Sequence, residues 1–296
     1  MKTQENVLPI EGSGRVVARQ DGRLGSILAE EGKLGAADIE RVLELQRIEG
    51  LRFGETALSL GLIAPDDLAC AVAKQYGVPY LLPGKQSISR EVVVAYEPFH
   101  RCAEELRALR TQLSIRWSKD GVRHRVLAVV SPGSGEGRSY VAANLAVAFS
   151  QLGERTLLID ADLRTPRQHR IFSVPDRIGL SAVLSGRADR GAIVPVSEFG
   201  SLSLLPAGAC PPHPQELLLR PAFAALLDEL HTDFDVILFD TPPARLYADA
   251  QSLAFRAGSA MVLARKDHTR LADTTRVIRE LNETGARIVG TVFNTF

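Results

Sequence analysis

Val126-Leu127-Ala128-Val129-Val130-Ser131-Pro132-Gly133-Ser134-Gly135-Glu136-Gly137-Arg138-Ser139 is the stretch that decides the fold. An apolar run ends in a glycine-rich turn, and the helix-forming segment Val141-Ala142-Ala143-Asn144-Leu145-Ala146-Val147-Ala148-Phe149 follows it. This reads as strand, loop and helix N-terminus. Backbone N–H groups of such a loop, with the positive end of the helix dipole, form a cradle for phosphate. The stretch points to a nucleotide. Gly133, Ser134, Gly135, Glu136, Gly137, Arg138, Ser139 and Tyr140 are the expected binding set, and the Ser139 hydroxyl is expected to reach Mg²⁺.

Two further elements lie downstream. Leu157-Leu158-Ile159-Asp160-Ala161-Asp162-Leu163-Arg164 carries a buried strand into two carboxylates that share a side, because strand alternation has period two. One of them activates a hydroxyl or a water while the other orients metal or phosphate. Phe234-Asp235-Val236-Ile237-Leu238-Phe239-Asp240-Thr241-Pro242-Pro243 ends a second apolar strand in an aspartate suited to a metal-bound water, and Asp249 opens the next helix. A single aspartate at a strand end is as often a helix cap. Three such elements at the carboxyl ends of strands, one of them a phosphate loop, define a ligand site.

Around these elements, strands near Val126–Ser131, Thr156–Asp160, Leu202–Pro206, Val236–Asp240, Ala260–Ala264 and Ile288–Asn294 alternate with helical segments. The pattern predicts an α/β fold, a P-loop NTPase with a mostly parallel sheet and helices on both faces. Lys plus Arg and Asp plus Glu number 35 each, so no global charge argues for a nucleic-acid polymer. Cys70, Cys102 and Cys210 lack metal-ligand spacing and fit a reducing compartment. No hydrophobic leader or membrane span is legible, and a cytoplasmic location is expected.

The N-terminal part is an internal repeat. Arg23-Leu24-Gly25 through Gln46 and Arg52-Phe53-Gly54 through Gln75 match at a constant offset of 29 residues, each 24 long with five between. The matches are Arg23/Arg52, Gly25/Gly54, Gly32/Gly61, Leu34/Ile63, Asp38/Asp67, Ile39/Leu68, Leu43/Val72 and Gln46/Gln75. The expected organisation is a tail over 1–22, a helical two-repeat domain over 23–82, a linker over 83–95 and the nucleotide domain over 96–296.

From Tyr96 onward the chain resembles the bacterial tyrosine kinases of the P-loop type, specifically the exopolysaccharide chain-length-determinant kinases of the EpsG type. Glu104, Arg107 and Arg110 match that family's Glu-x-x-Arg-x-x-Arg oligomerisation motif, and Pro206–Leu218 its proline-rich segment, with His213 where asparagine is usual. Asn294 matches an adenine-reading asparagine of related ATPases. The resemblance implies ATP and Mg²⁺, with Ser139, Asp160 and Asp240 at the metal and Arg138 at the phosphates. It makes Asp160 the acceptor of the substrate hydroxyl proton, supported by Asp162. It also implies a homo-oligomer, recruited to the inner face of the membrane by a polysaccharide co-polymerase that activates it. Arg138 stands where lysine is usual, and Tyr76, Tyr80, Tyr96, Tyr140 and Tyr247 all lie away from the tail where the family carries its tyrosine cluster. A nucleotide-switched scaffold of the export machinery is the alternative. A partitioning ATPase of the ParA/MinD kind is another, although Gly133 replaces the additional lysine of that group.

The repeat resembles the N-terminal domain of type II secretion and pilus ATPases, whose repeats bind cyclic di-GMP. That resemblance assigns Arg23, Leu24, Gly25, Leu28, Gly32, Gln46, Arg52, Phe53, Gly54, Gly61 and Gln75 to the dinucleotide. The competing expectation is a helical adaptor whose matched leucines pack its core.

Overall fold

The computed structural model describes residues 24–81, 88–119, 121 and 125–295, which fall into two compact units, Met1–Tyr80 and Leu81–Phe296. The expected tail and Arg23 lie outside the described residues.

The first unit realises the repeat as two helical hairpins. Residues 24–30 (α1) and Ala36–Glu49 (α2) form one copy; Phe53–Ser59 (α3) and Pro65–Gln75 (α4) form the other. Gly32 and Gly61 end the first helix of each copy at φ 69° and 65°, a left-handed turn that glycine adopts without strain. Asp38 and Asp67 accept the backbone N–H of Gly35 at 2.9 Å and of Ala64 at 3.0 Å, so the matched aspartates are helix caps. Leu24, Leu28, Leu34, Val42, Phe53, Ala57, Ile63 and Ala71 build one shared core. Ala57 is smaller than its counterpart Leu28, and Phe53 is larger than Leu24, which keeps the volume filled. A Cβ on Gly25 would stand 3.1 Å from the Phe53 ring and one on Gly54 2.5 Å from Leu68. Packing therefore accounts for Leu24, Gly25, Leu28, Phe53 and Gly54, while Arg52 is exposed and Gln46 and Gln75 are half-buried.

In the second unit Val93–Tyr96 (α5) and Arg101–Lys119 (α6) precede Arg125–Val130 (β1), Arg138–Ser150 (α7) and Thr156–Asp160 (β2). Gln168–Ile171 (α8), Leu180–Leu184 (α9), Val194–Pro195 (β3), Leu202–Leu205 (β4), Pro214–Leu219 (α10) and Pro221–Asp233 (α11) follow. Val236–Asp240 (β5), Asp249–Ala257 (α12), Ser259–Arg265 (β6), Leu271–Glu283 (α13) and Arg287–Asn294 (β7) complete it. The strand order is β3-β4-β2-β5-β1-β6-β7, parallel except for β3 against β4. Apolar clusters cover both faces, one against α6 and α7 and the other against α9 to α13. The parallel sheet explains why β1, β2 and β5 read as unbroken apolar runs. The two-residue β3 escapes a periodicity argument because it is too short to show one.

Residues 83–87 of the expected linker lie outside the described residues, and the remainder is folded into the second unit. Ile88, Val92, Val93, Val94, Ala95 and Tyr96 are buried in the core of the second unit. The Leu81 N–H donates to Ala95 O at 2.8 Å, and the Tyr96 hydroxyl to Ile88 O at 2.6 Å. A short apolar run flanked by turn residues has no readable period, yet it covers α7. Among the described residues no helix is long and apolar enough to cross a membrane.

Candidate nucleotide site

The order β2-β5-β1 brings the ends of three strands side by side. β2 and β5 run in register so that Asp160 pairs with Asp240, and the loop after β1 rises beside them. Gly135 at φ 72° and Gly137 at φ 96° bend the loop left-handed into the start of α7. The loop thus runs from β1 into a helix N-terminus, the local shape the glycines predict.

Glu136, 2% exposed, braces the loop from within: Oε2 accepts the Gly133 N–H at 2.7 Å and Oε1 the Thr269 hydroxyl at 2.6 Å. Asn294 closes the other side, its Nδ2 donating to Glu136 O at 3.2 Å. Arg138 is buried. Its Nε donates to Thr241 O at 2.7 Å, and its Nη1 to Ser131 Oγ and Gly133 O, each at 2.5 Å. Burial depresses the guanidinium pKa, opposed by Asp240. Its hydrogen bonds go to carbonyls and a hydroxyl, so neither Asp160 nor Asp240 has a guanidinium bound to it.

Those two carboxylates are fully enclosed. Asp160 Oδ2 accepts from the backbone N–H of Arg167 at 3.0 Å and of Gln168 at 2.9 Å; Asp240 Oδ2 accepts from Gln168 Nε2 at 2.8 Å. The Ser139 side chain, at the start of α7, lies close enough to Asp240 to favour its ionised form. The Oδ1 atom of each is buried without a partner. Burial, then the neighbouring Asp240 charge, pushes Asp160 well above the usual carboxylate range. Burial raises Asp240 too, against the pull of Arg138. Two adjoining carboxylates with unused oxygens beside a hydroxyl fit a divalent cation that takes its remaining ligands from phosphate and water. Among the described residues no cluster of three or more His, Cys, Asp or Glu forms an all-protein metal cage.

Asp162 behaves differently from its neighbour. Its oxygens accept from Arg164 N at 3.1 Å, Thr165 N at 2.8 Å and Thr165 Oγ1 at 2.9 Å. It shapes the turn after β2. Arg164 then reaches the fully buried Asp249 at 2.7 Å and stacks on Tyr247 at 4.0 Å.

A cavity of about 1120 Å³ opens beside the loop, lined by Gly135, Gly137, Tyr140, Arg265 and Asn294 with Glu91 and Arg167. It brings the predicted Tyr140 and Asn294 to one space. The Tyr140 hydroxyl lies 3.1 Å from Cys102 Sγ, and burial raises its pKa. Glu104, Arg107 and Arg110 are not part of it. Arg107 pairs with Glu104 at 2.8 Å and also with Pro98 O, while Arg110 donates to Ala148 O at 2.9 Å, so one chain engages the two arginines internally. His213 is exposed before α10. Residues that the sequence reading missed are Gln168, Thr269, Arg167 and Arg265. The one local signal near Gln168 is the turn-forming pair Thr165-Pro166, which carries no hint of a ligand.

Fold and site together define a P-loop NTPase of the ParA class. Residues 122–295 match the family model described as ParA: NUBPL iron-transfer P-loop NTPase, and the chain belongs to that family. Within it, the chain is a member of the bacterial tyrosine-protein kinase family. Tyrosine-protein kinase YwqD of Bacillus subtilis (strain 168) is 32% identical over 207 residues, which are 70% of this chain and 86% of YwqD. EpsB of Ralstonia solanacearum is 34% identical over 191 residues, 64% of this chain but only 25% of EpsB. The chain thus spans about a quarter of the length of such relatives. Among solved structures, the chimerical protein CapA2B2 superposes with a TM-score of 0.65 at 31% identity, covering 75% of this chain and 96% of that one. The septum site-determining protein MinD of Pyrococcus horikoshii OT3, complexed with Mg-ADP, gives 0.50 at 29% identity, covering 57% and 69%.

Proposed function

We propose that this chain is an ATP- and Mg²⁺-dependent protein-tyrosine kinase acting in polysaccharide synthesis and export. The observation that carries the proposal is the pair Asp160 and Asp240, each with one buried unpartnered oxygen, set beside a phosphate cradle that opens on a nucleotide-sized cavity. A MinD relative complexed with Mg-ADP supports the cofactor assignment.

The loop amides and Arg138 receive the phosphates. Ser139, Asp160 and Asp240 would hold Mg²⁺, which neutralises charge on the phosphates when bound. Asp160 accepts the proton of the substrate hydroxyl. Asp162 holds the loop that carries Arg167 and Gln168 rather than touching phosphate. Tyr140 and Asn294 line the pocket for base and ribose. A membrane co-polymerase is the proposed activator and recruits the chain to the inner face of the membrane. Opening the Arg107 and Arg110 contacts to a second copy would give the oligomer.

Incubating the chain and the cytosolic segment of its membrane partner with Mg-ATP, while following ADP and the intact mass of both proteins, tests the reading. Phosphotyrosine that disappears in Asp160→Asn is expected. ADP without phosphoprotein would indicate an ATPase switch, and ATP bound without either product a scaffold. For the repeat unit we favour the adaptor, because packing accounts for its matched apolar residues and glycines. Cyclic di-GMP binding that is lost in Arg23→Ala/Arg52→Ala would reinstate the messenger reading.

A further inference from the structure

Gln168 opens α8 and is fully buried, yet it belongs to none of the motifs that drew attention to the site. Its backbone N–H donates to Asp160 Oδ2 at 2.9 Å, and its Nε2 donates to Asp240 Oδ2 at 2.8 Å and to the Ser139 carbonyl at 3.0 Å. One residue thus holds the end of β2, the end of β5 and the start of α7. Carbonyl and ionised carboxylate oxygens only accept, so the amide can point only one way. That orientation leaves Gln168 Oε1 buried and unpartnered, together with Asp160 Oδ1 and Asp240 Oδ1. Three buried acceptors without a donor suit a cation and the water it carries, and they disfavour an anion or an apolar group.

We propose that Gln168 is a positioning residue for the divalent cation of the bound nucleotide. By engaging Oδ2 of both aspartates it presents both Oδ1 atoms to a common ligand. Through the Ser139 carbonyl it ties their placement to the phosphate loop. The proposal rests on the nucleotide reading above. Residues that orient metal ligands from behind change metal affinity by about 10- to 100-fold.

The test is calorimetric titration of the full chain with ATP, in EDTA and across a Mg²⁺ series, for wild type and Gln168→Met. The methionine keeps the length of the side chain and removes both amide donors. We expect the Mg²⁺ midpoint to rise about 10- to 100-fold while the metal-free Kd for ATP stays within about twofold. An unchanged Mg²⁺ midpoint in folded Gln168→Met overturns the proposal, as does an equal loss with and without Mg²⁺, which marks a merely structural role. Should Gln168→Met fail to fold, wild-type protein carrying Mn²⁺ and ATP supplies the second readout. Paramagnetic broadening of the Gln168 side-chain amide supports the proposal, and an unaffected amide refutes it. Wild type that binds no ATP would remove the nucleotide reading and this proposal with it. Wild type that binds Mg-ATP beside an insensitive variant removes this proposal alone.

Discussion

Replacing Arg138 with lysine separates the two tasks of the buried guanidinium. Arginine spans three acceptors: Nη1 serves Ser131 Oγ and Gly133 O, while Nε serves Thr241 O at 2.7 Å. A lysine ammonium is a single point of charge. It can take over the Ser131 and Gly133 contacts but leaves the buried Thr241 carbonyl without its charged donor. Losing one charge-assisted hydrogen bond costs about 1.5–3 kcal/mol. At about 2–4 °C per kcal/mol for a unit of this size, the nucleotide-free protein should melt about 3–12 °C lower. The same free energy reappears in binding. If the cation leaves Thr241 to meet the phosphates, the two ATP complexes are equivalent, and the lysine variant no longer gives up that bond. Its Kd for ATP should then be lower by about 10- to 100-fold, at tenfold per 1.4 kcal/mol. Thermal unfolding and calorimetric titration measure the two sides of this cycle. An Arg138→Lys protein that loses stability but binds ATP no more tightly refutes the reasoning, because the Thr241 contact must then persist in the complex.

Arg164→Ala strands the fully buried Asp249 carboxylate and should cost about 3 kcal/mol in urea unfolding, with much of it recovered in Arg164→Ala/Asp249→Asn. A double variant no more stable than the single one would count against the pair. The Arg155 side chain, by hydrogen bonding, holds Asp235 below the usual carboxylate range. Its contribution is present above the ordinary pKa of about 4 and is lost as pH falls through the depressed folded value. Asp235→Asn should therefore be less stable at neutral pH and show a flatter acid limb; parallel limbs would contradict this. A methyl on Gly179 would stand 2.1 Å from Pro206 O, so Gly179→Ala should lose about 3 kcal/mol or more, read by chemical denaturation.

Much of the second unit was legible because its signals are local. Apolar runs mark β1, β2 and β5 to within a residue, and the glycines of the phosphate loop, Gly133, Gly135 and Gly137, fall within five consecutive residues. Asp160 and Asp240 were readable as strand-end carboxylates, but their adjacency was not, because β5 inserts between β2 and β1 and no local period encodes strand order. Gln168 escaped for the same reason: all its side-chain partners lie on other elements. Asp162 looked equivalent to Asp160 from spacing alone, and only the structure shows its oxygens taken up by the turn to Thr165. In the repeat, the matched glycines read as openings for a ligand, whereas the structure fills the space beside Gly25 and Gly54 with Phe53 and Leu68.

The insertion of β5 between β1 and β2 also sets a timetable for synthesis. The Thr241 hydroxyl that bonds to Val129 O is 112 residues downstream of it, so the phosphate loop emerges from the ribosome long before its neighbouring strand exists. Non-local pairing of this kind closes late, after its loop entropy has been met. A nascent chain halted before Val236 would display the glycine loop and the Asp160 strand with an open slot between them. The central strand fills that slot and delivers Asp240, and the braces on the loop from Thr269 and Asn294 arrive only later still.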